Sequence, residues 1–136
     1  MKKWMLAVVT LALASFGFFS LNQTQAQQMQ DQSMMAAGYM DYSLEAYNKA
    51  ADQKRVLFFA ASWCPTCRAA NADITAKLKD IPKGLVIFKT DYDKETALKT
   101  KYGIVRQHTF VLVDAKGNAL KKWSGGNLAE IVTNTK

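Results

Sequence analysis

The chain has 136 residues, of which 49% are hydrophobic and 21% charged, with two cysteines, one histidine and a formal net charge of +7. One domain is expected, since domains usually hold about 100–200 residues. Two cysteines exclude an all-cysteine zinc site and a miniprotein held together by several disulfides. The lysines are dispersed and no aromatic residues alternate with a basic stripe, so the sequence argues against nucleic-acid binding.

Residues 1–26 have the layout of a secretory signal peptide. Met1-Lys2-Lys3 is positively charged, residues 4–21 are uncharged and mostly apolar, and Thr24-Gln25-Ala26 offers small residues to a signal peptidase. We therefore expect cleavage after Ala26 and export, with the periplasm as the expected location. The alternative is an uncleaved N-terminal membrane anchor with the domain on the extracytoplasmic side, because about 17–25 apolar residues can span a bilayer.

Residues 27–37, rich in Gln and Met, are predicted to form a flexible linker before a domain over residues 38–136. Met29, Met34 and Met35 have two interpretations. Together with Met40 just beyond the linker, they are either soft ligands for copper or ordinary residues of the linker and the core.

Hydrophobic periodicity predicts alternating strands and helices after residue 38. We expect a short strand near Tyr39, a helix capped by Ser43 whose apolar stripe includes Leu44, and a later helix that begins at Asp93 and ends at Gly103. The other predicted elements are a strand over 56–61, a helix over 64–81, a strand over 85–88, a hairpin over 109–113 and 119–123, and a helix around 128–132. This order predicts an α/β fold, with a central mixed β-sheet flanked by helices on both faces.

The two cysteines follow a buried strand directly and open a helix, in Trp63-Cys64-Pro65-Thr66-Cys67. Side chains three residues apart share a helix face, so a disulfide between Cys64 and Cys67 is sterically allowed. Free N–H groups at the helix start and the charge of Arg68 favour the thiolate of Cys64, the form that attacks disulfides. Cys67 continues an apolar stripe, so we expect an accessible Cys64 that attacks and an inward Cys67 that resolves the mixed disulfide.

Three other interpretations of the cysteine pair stay open. It could be a static structural disulfide, half of a metal site, or two packing cysteines. A disulfide across so small a loop gains little chain entropy, and packing cysteines would not need the junction of strand and helix. Redox chemistry is therefore the favoured prediction.

These features together resemble the thioredoxin family. The resemblance covers residues 38–136 and rests on the segments 63–68, Tyr102-Gly103-Ile104 and the predicted hairpin turn 114–118. It implies a thioredoxin-like fold and a redox-active Cys64–Cys67 disulfide that exchanges with client proteins and needs no dissociable cofactor. The Cys-Pro-Thr-Cys centre is most similar to exported reductases, including those that keep apocytochrome thiols reduced. A partner must recharge the dithiol, and we expect a membrane-borne electron donor or oxidant.

Two positions depart from the family's pattern. The family's cis-proline falls on His108, and a cis bond before another residue costs about 2.5–4 kcal/mol, so we expect a trans Gln107–His108 bond. The family's buried acid aligns with Phe58 and is absent. Because the proline is replaced by His108, the loop that docks extended substrates is expected to be altered.

His108 is expected near both sulfurs, because it takes the place of the family's proline. Three roles are open for it. It could tune the redox pair by stabilising a thiolate or relaying a proton, it could complete a copper or zinc site with both cysteines, or it could be an ordinary hydrogen-bonded histidine at a strand edge.

The sequence therefore predicts an exported thiol–disulfide oxidoreductase that reduces or exchanges the disulfides of client proteins. Cys64 and Cys67 are its predicted catalytic pair, and Arg68 and His108 its predicted tuning residues. The alternative is a thioredoxin-fold metallochaperone that binds copper or zinc through Cys64, Cys67 and His108.

Overall fold

The computed structural model describes residues 25–26, 28–29 and 37–136. Apart from these few positions, the predicted signal peptide (1–26) and linker (27–37) lie outside the described residues, so cleavage and anchoring stay predictions. Within the described part of the chain, no helix combines the length and the apolar character needed to cross a membrane.

From residue 37 onwards the chain alternates strands and helices in the predicted order. The strands are β1 (Tyr39–Asp41), β2 (Lys54–Ala60), β3 (Leu85–Asp91), β4 (Thr109–Val113) and β5 (Ala119–Ser124). The helices are α1 (Leu44–Lys49), α2 (Pro65–Ala76), α3 (Thr96–Tyr102) and α4 (Leu128–Asn134), with a 3₁₀ turn at Leu78–Asp80. The predicted α/β class is confirmed.

The strands form one mixed sheet in the order β1-β3-β2-β4-β5. β3 runs parallel to both β1 and β2, and α2 makes the crossover from β2 to β3. β4 runs antiparallel to β2, and the chain then returns as β5 through a tight turn. The Asp114 carboxylate closes this turn by accepting from the N–H groups of Lys116 and Asn118.

β2 divides the core in two, because its alternate side chains point to opposite faces of the sheet. Val56 and Phe58 pack with α2 and α4 in one apolar cluster, whereas Leu57 and Phe59 pack with α1 and α3 in the other. The continuous apolar run of this strand therefore requires helices on both faces. The site described below lies where β2 ends and α2 begins.

The first two helices differ from the prediction in detail. Leu44 is 64% exposed, so it does not belong to the buried stripe of α1, which begins two residues later. The helix expected over 64–81 ends at Ala76, and the 3₁₀ turn follows. Ile81 precedes Pro82 and takes extended backbone angles, which a continuous helix would not allow. Leu78 and Ile81 still pack against the core.

The third helix begins at Thr96, so the prediction that Asp93 caps it is wrong. The carboxylate of Asp91 accepts hydrogen bonds from the N–H groups of Asp93 and Lys94, and these hold the two residues in a turn. The end of α3 agrees with the prediction, because Gly103 takes left-handed angles there (φ 62°).

Asp73 joins α2 to α4 through its carboxylate, which accepts hydrogen bonds from Lys77 and from the backbone N–H of Leu128 (3.2 Å). The hydrogen bond from Lys77, and then that from Leu128, lowers the pKa of the Asp73 carboxyl below its usual value. A lowered folded-state pKa stabilises the protein above the unfolded-state pKa. This contribution is lost as the pH falls through the folded-state pKa.

Asp73→Asn is therefore expected to lower the free energy of unfolding by about 1 kcal/mol at neutral pH, as for other lost helix-start hydrogen bonds. Below the lowered pKa the variant and the unaltered protein should unfold alike. Denaturant titration at neutral and at strongly acidic pH measures the difference, with Asp80→Asn in the exposed 3₁₀ turn as control. An equal loss at both pH values would contradict the role given to the carboxylate.

Candidate functional site

Cys64 lies between the end of β2 and the start of α2. β2 ends at Ala60, and Cys64 is the N-cap of α2 with extended backbone angles (φ −89°, ψ 112°). Pro65 takes the first helical position, where its ring suits the helix and its missing N–H leaves no hydrogen bond unmade. Cys67 lies one turn further on, and the two cysteines form a disulfide with a Cα–Cα distance of 5.3 Å.

The described hydrogen bonds to sulfur converge on Cys64. Its Sγ accepts from the backbone N–H of Cys67 (3.1 Å), and the Thr66 hydroxyl lies 3.3 Å from the same atom. Together with the positive end of the α2 dipole, these donors would stabilise negative charge on Cys64 once the disulfide is reduced. The local geometry therefore favours the thiolate on Cys64.

Both cysteines are buried in this disulfide form. Cys64 is 1% exposed and Cys67 is 2% exposed, so the predicted difference in accessibility is wrong for the oxidised protein. The reason is that the disulfide ties Cys64 to Cys67, which lies on the buried face of α2 within the apolar cluster. The prediction that Cys64 is more accessible than Cys67 therefore applies to the reduced protein.

An open cleft of about 710 Å³ lies at the carboxyl ends of β1, β2 and β3, and Cys67 forms part of its wall. Two ion pairs join residues that line the cleft, Lys89 with Asp41 (2.9 Å) and Lys94 with Asp91 (3.6 Å). The Cys67 side of the disulfide therefore borders a cleft lined by charged groups, while Cys67 itself is 2% exposed.

His108 lies beside the disulfide, in the loop before β4. One of its ring nitrogens and the two sulfurs all lie within 4.8 Å of one another. Its φ of 56° is in the left-handed region, which residues other than glycine seldom adopt. The N–H of His108 donates to Phe59 O and its carbonyl accepts from Gly125 N–H, both at 2.8 Å, and these bonds hold the strained backbone. No cis peptide bond occurs in the described residues, so the Gln107–His108 bond is trans as expected.

The imidazole of His108 is fixed by a hydrogen bond and by two aromatic rings. Its Nε2 lies 2.9 Å from the carbonyl oxygen of Gly126. A carbonyl oxygen accepts and cannot donate, so Nε2 carries the proton and Nδ1 keeps a free lone pair in the neutral ring. Phe58 and Phe110 contact the imidazole with centroid distances of 5.7 and 5.6 Å. His108 is thus both hydrogen-bonded at a strand end and close to the sulfurs.

Arg68 and Phe58 are the other positions singled out by the sequence. The Arg68 guanidinium donates to the carbonyl of Ser62 (3.0 Å), which braces the loop between β2 and α2 at the edge of the cleft. Among the described residues, the Arg68 guanidinium therefore hydrogen-bonds to this loop and not to a sulfur. Phe58 is fully buried and stacks on Phe110 (4.5 Å between centroids), so an aromatic ring lies at the position to which the resemblance assigns an acid.

Sequence reasoning overlooked the Thr66 hydroxyl and a set of contacts around Trp63. Trp63 is 56% exposed, its Nε1 donates to the Asp93 carboxylate (3.0 Å), and its ring meets Tyr92 edge to face. Tyr92 donates to the carbonyl of Val105 (3.4 Å), whose side chain is 87% exposed. Two apolar side chains therefore stay exposed in the loops next to the disulfide. Trp63 stands directly before the cysteine motif, and that position was the available sequence signal for it.

Thr66→Val is expected to make the reduction potential of the cysteine pair more negative by about 20 mV. One lost hydrogen bond removes about 1 kcal/mol of stabilisation from the reduced form, and 30 mV corresponds to about 1.4 kcal/mol. Equilibration with glutathione buffers measures the potential. Thr75→Val on the same helix is the matched control, because the Thr75 hydroxyl bonds to the carbonyl of Asn71. An unchanged potential in Thr66→Val would refute the role of this hydroxyl.

A mixed five-stranded sheet with a Cys-X-X-Cys disulfide at the start of a helix defines a thiol–disulfide oxidoreductase of the thioredoxin-like fold. The family model described as Thioredoxin matches residues 39–136, well over half of the chain. The protein belongs to the thioredoxin family, and the predicted family, fold and enzyme class are confirmed.

Curated relatives and solved structures agree with this assignment. Thioredoxin H5 of Arabidopsis thaliana is 31% identical over 96 residues, which are 66% of this chain and 80% of that protein. Thioredoxin H4 of the same plant is 29% identical over 83 residues, or 61% of this chain and 69% of that protein. The X-ray structure of Fasciola hepatica thioredoxin superposes with a TM-score of 0.57 at 29% identity, covering 68% of this chain and 89% of that one.

Proposed function

We propose that the protein is an exported reductase of protein disulfides, in which Cys64 attacks and Cys67 resolves. The observation that carries the assignment of roles is the direction of two hydrogen-bond donors, the Cys67 N–H and the Thr66 hydroxyl, towards the Cys64 sulfur. A sulfur stabilised as a thiolate is more populated as a nucleophile and leaves more readily. Membership of the thioredoxin family supports disulfide-bearing proteins as the clients.

The reaction runs in two exchange steps. The Cys64 thiolate attacks one sulfur of the client disulfide, forming a mixed disulfide and releasing one client thiolate. The Cys67 thiol then loses its proton and attacks the Cys64 sulfur, which breaks the mixed disulfide and releases the second client thiolate. The client has gained two electrons, and the protein holds the disulfide seen in the structure. A dithiol donor must return two electrons before the next cycle, and the proposed donor is membrane-borne.

The cleft beside Cys67 supports this order of events. Phe58 replaces the family's acid, so β2 offers no carboxyl group to take the proton from the resolving thiol. Cys67 instead forms part of the wall of an open cleft, through which its proton can pass to solvent. In this proposal the proton of the resolving thiol passes to water in the cleft and not to an acid on β2.

Arg68 and His108 are the proposed tuning residues. Arg68 lies in the cleft wall with Cys67 and adds positive charge near the start of α2, where it favours a thiolate. His108 has a ring nitrogen within 4.8 Å of both sulfurs, close enough to influence charge on either one.

Cys67→Ser tests the assignment of roles. Without a resolving thiol, Cys64 should stay joined to its clients, and non-reducing electrophoresis should show mixed disulfides that dithiothreitol releases. Cys64→Ser is the matched control and should trap little. Stronger trapping by Cys64→Ser would reverse the roles, and trapping by neither variant would argue against exchange with proteins.

Export is supported by the charge and hydropathy pattern of residues 1–26. Expression of the full chain in a Gram-negative host, followed by cell fractionation and N-terminal sequencing, tests it. We expect a periplasmic protein that begins at Gln27. A full-length chain in the inner membrane would establish the anchored alternative, and a full-length chain in the cytosol would contradict export.

A further inference from the structure

Three side chains with donor atoms that thiophilic metals prefer converge at the redox site. We propose that the reduced protein binds one thiophilic cation with a filled d shell, Cu⁺ or Zn²⁺, through Cys64, Cys67 and His108. Both sulfurs and a ring nitrogen lie within 4.8 Å of one another. The sequence raises this set of ligands as an alternative to redox chemistry. The geometry makes it a second property of the same three residues.

The chemistry of the donors decides the class of metal. Thiolate and imidazole ligands suit copper(I) and zinc, whereas magnesium and calcium prefer oxygen ligands. Metal bonds to these donors are about 2.0–2.3 Å long. Once reduction separates the two sulfurs, donors at the observed spacing reach a shared cation after a small movement of the side chains.

One ring nitrogen of His108 is hydrogen-bonded, which leaves the other, Nδ1, as the atom that would bind the metal. Its Nε2 donates to the carbonyl of Gly126, which leaves Nδ1 with the free lone pair. Metal-binding histidines usually donate their second ring N–H to a carbonyl or carboxylate in this way. Phe58 and Phe110 pack against the ring, and the backbone bond to Phe59 fixes the residue in its left-handed conformation. The imidazole therefore pays little entropy on binding.

Charge and burial also favour a cation at this place. Two thiolates and a neutral imidazole carry a charge of −2, which Zn²⁺ would neutralise and Cu⁺ would reduce to −1. Both cysteines are buried, and buried charges are stable when they are paired or coordinate a metal. Binding releases to solvent whatever protons the two thiols still hold and changes no oxidation state. Oxidation to the disulfide removes two ligands, so the metal-bound state belongs to the reduced protein.

Anaerobic titration of the reduced full chain with Cu⁺, and separately with Zn²⁺, against a competing chelator tests the proposal. We expect one ion per chain for at least one metal, and slower alkylation of both cysteines in the loaded protein. His108→Asn should weaken binding by at least about tenfold, because asparagine tolerates a positive φ but supplies no imidazole. Arg106→Asn, in the same loop, is the matched control and should bind as tightly as the unaltered protein.

X-ray absorption spectroscopy of the loaded unaltered protein gives a readout that does not depend on the folding of a variant. We expect two sulfur atoms and at least one imidazole nitrogen around the metal. A shell without nitrogen, unchanged affinity in His108→Asn, or half an ion per chain would overturn the three-ligand site. Absence of metal binding in a protein that still reduces disulfides would refute this site and leave the proposed function standing.

Discussion

Replacing Cys64 by serine is expected to lower the rate of insulin disulfide reduction by about a thousandfold or more, a usual loss when a covalent catalyst loses its nucleophile. A serine hydroxyl in place of Cys64 would accept the same hydrogen bonds from Cys67 N–H and Thr66, but it cannot form a mixed disulfide. The substitution therefore removes the chemistry while it preserves the cap of α2. Turbidity of reduced insulin, with dithiothreitol as the electron source, measures the rate.

Two comparisons make this result specific. Thr133→Ala, on the exposed side of α4, removes a hydroxyl far along the chain from the cysteines and should leave the rate unchanged. Circular dichroism should show that Cys64→Ser keeps its secondary structure. A folded Cys64→Ser variant that retains even a tenth of the activity would refute the assignment of Cys64 as the attacking thiol.

Arg55→Met is expected to lower the free energy of unfolding by about 3 kcal/mol, because it leaves buried carbonyl groups without their donor. Arg55 is 2% exposed and donates to the carbonyls of Tyr47 (2.9 Å), Asp114 (2.7 Å) and Ala115 (3.1 Å). It thereby ties α1 to the turn between β4 and β5. Its guanidinium also lies 4.0 Å from the centroid of the Tyr47 ring, and burial raises the pKa of Tyr47 to about 12. The Tyr47 side chain therefore stays protonated and neutral next to the Arg55 guanidinium.

Denaturant titration of Arg55→Met against the unaltered protein measures this loss. Arg106→Met is the matched control, since the Arg106 side chain lies exposed in the loop before β4 and should change stability by less than about 0.5 kcal/mol. Arg55→Lys should fall between the two, because lysine keeps the charge but not the planar fork that reaches three carbonyls. Equal stabilities of Arg55→Met and Arg106→Met would refute the role of this buried network.

The order of the elements was predictable because each one carries a local signal. The apolar run of β2 predicts a strand buried on both faces, and Ser43 accepts from Ala46 N–H at the start of α1 as its position suggests. The start of α3 was not predictable in this way. Asp93 is as good a cap by residue type as any, and the competing turn at Asp91 depends on where β3 ends.

The same distinction between local sequence signals and tertiary contacts applies to the candidate site. The placement of Cys64 and Cys67 follows from the strand, the proline and the helix around them, which are all local in sequence. The proximity of His108 was inferred from resemblance, because 41 positions separate it from Cys67 and no periodicity joins them. Its positive φ and its bond to Gly126 depend on tertiary contacts with β2 and with the loop after β5. No pattern of residue types reports such contacts.

The burial of Cys64 was also beyond the reach of the sequence. A residue before the apolar stripe of a helix is expected to be exposed, and the disulfide overrides that expectation by drawing Cys64 to the buried face. The bond from Trp63 to Asp93 joins residues 30 positions apart and is likewise invisible in local patterns.

The reduction potential of the Cys64–Cys67 pair tests the proposed direction of electron flow most directly. The pair can be equilibrated anaerobically in buffers of defined glutathione ratio and then quenched with acid, and the reduced and oxidised forms can be counted by mass spectrometry after alkylation. We predict a potential between about −200 and −300 mV, the range of glutaredoxins and thioredoxins. A potential of about −120 mV, as in a strong periplasmic oxidant, would contradict the assignment of this protein as a reductase.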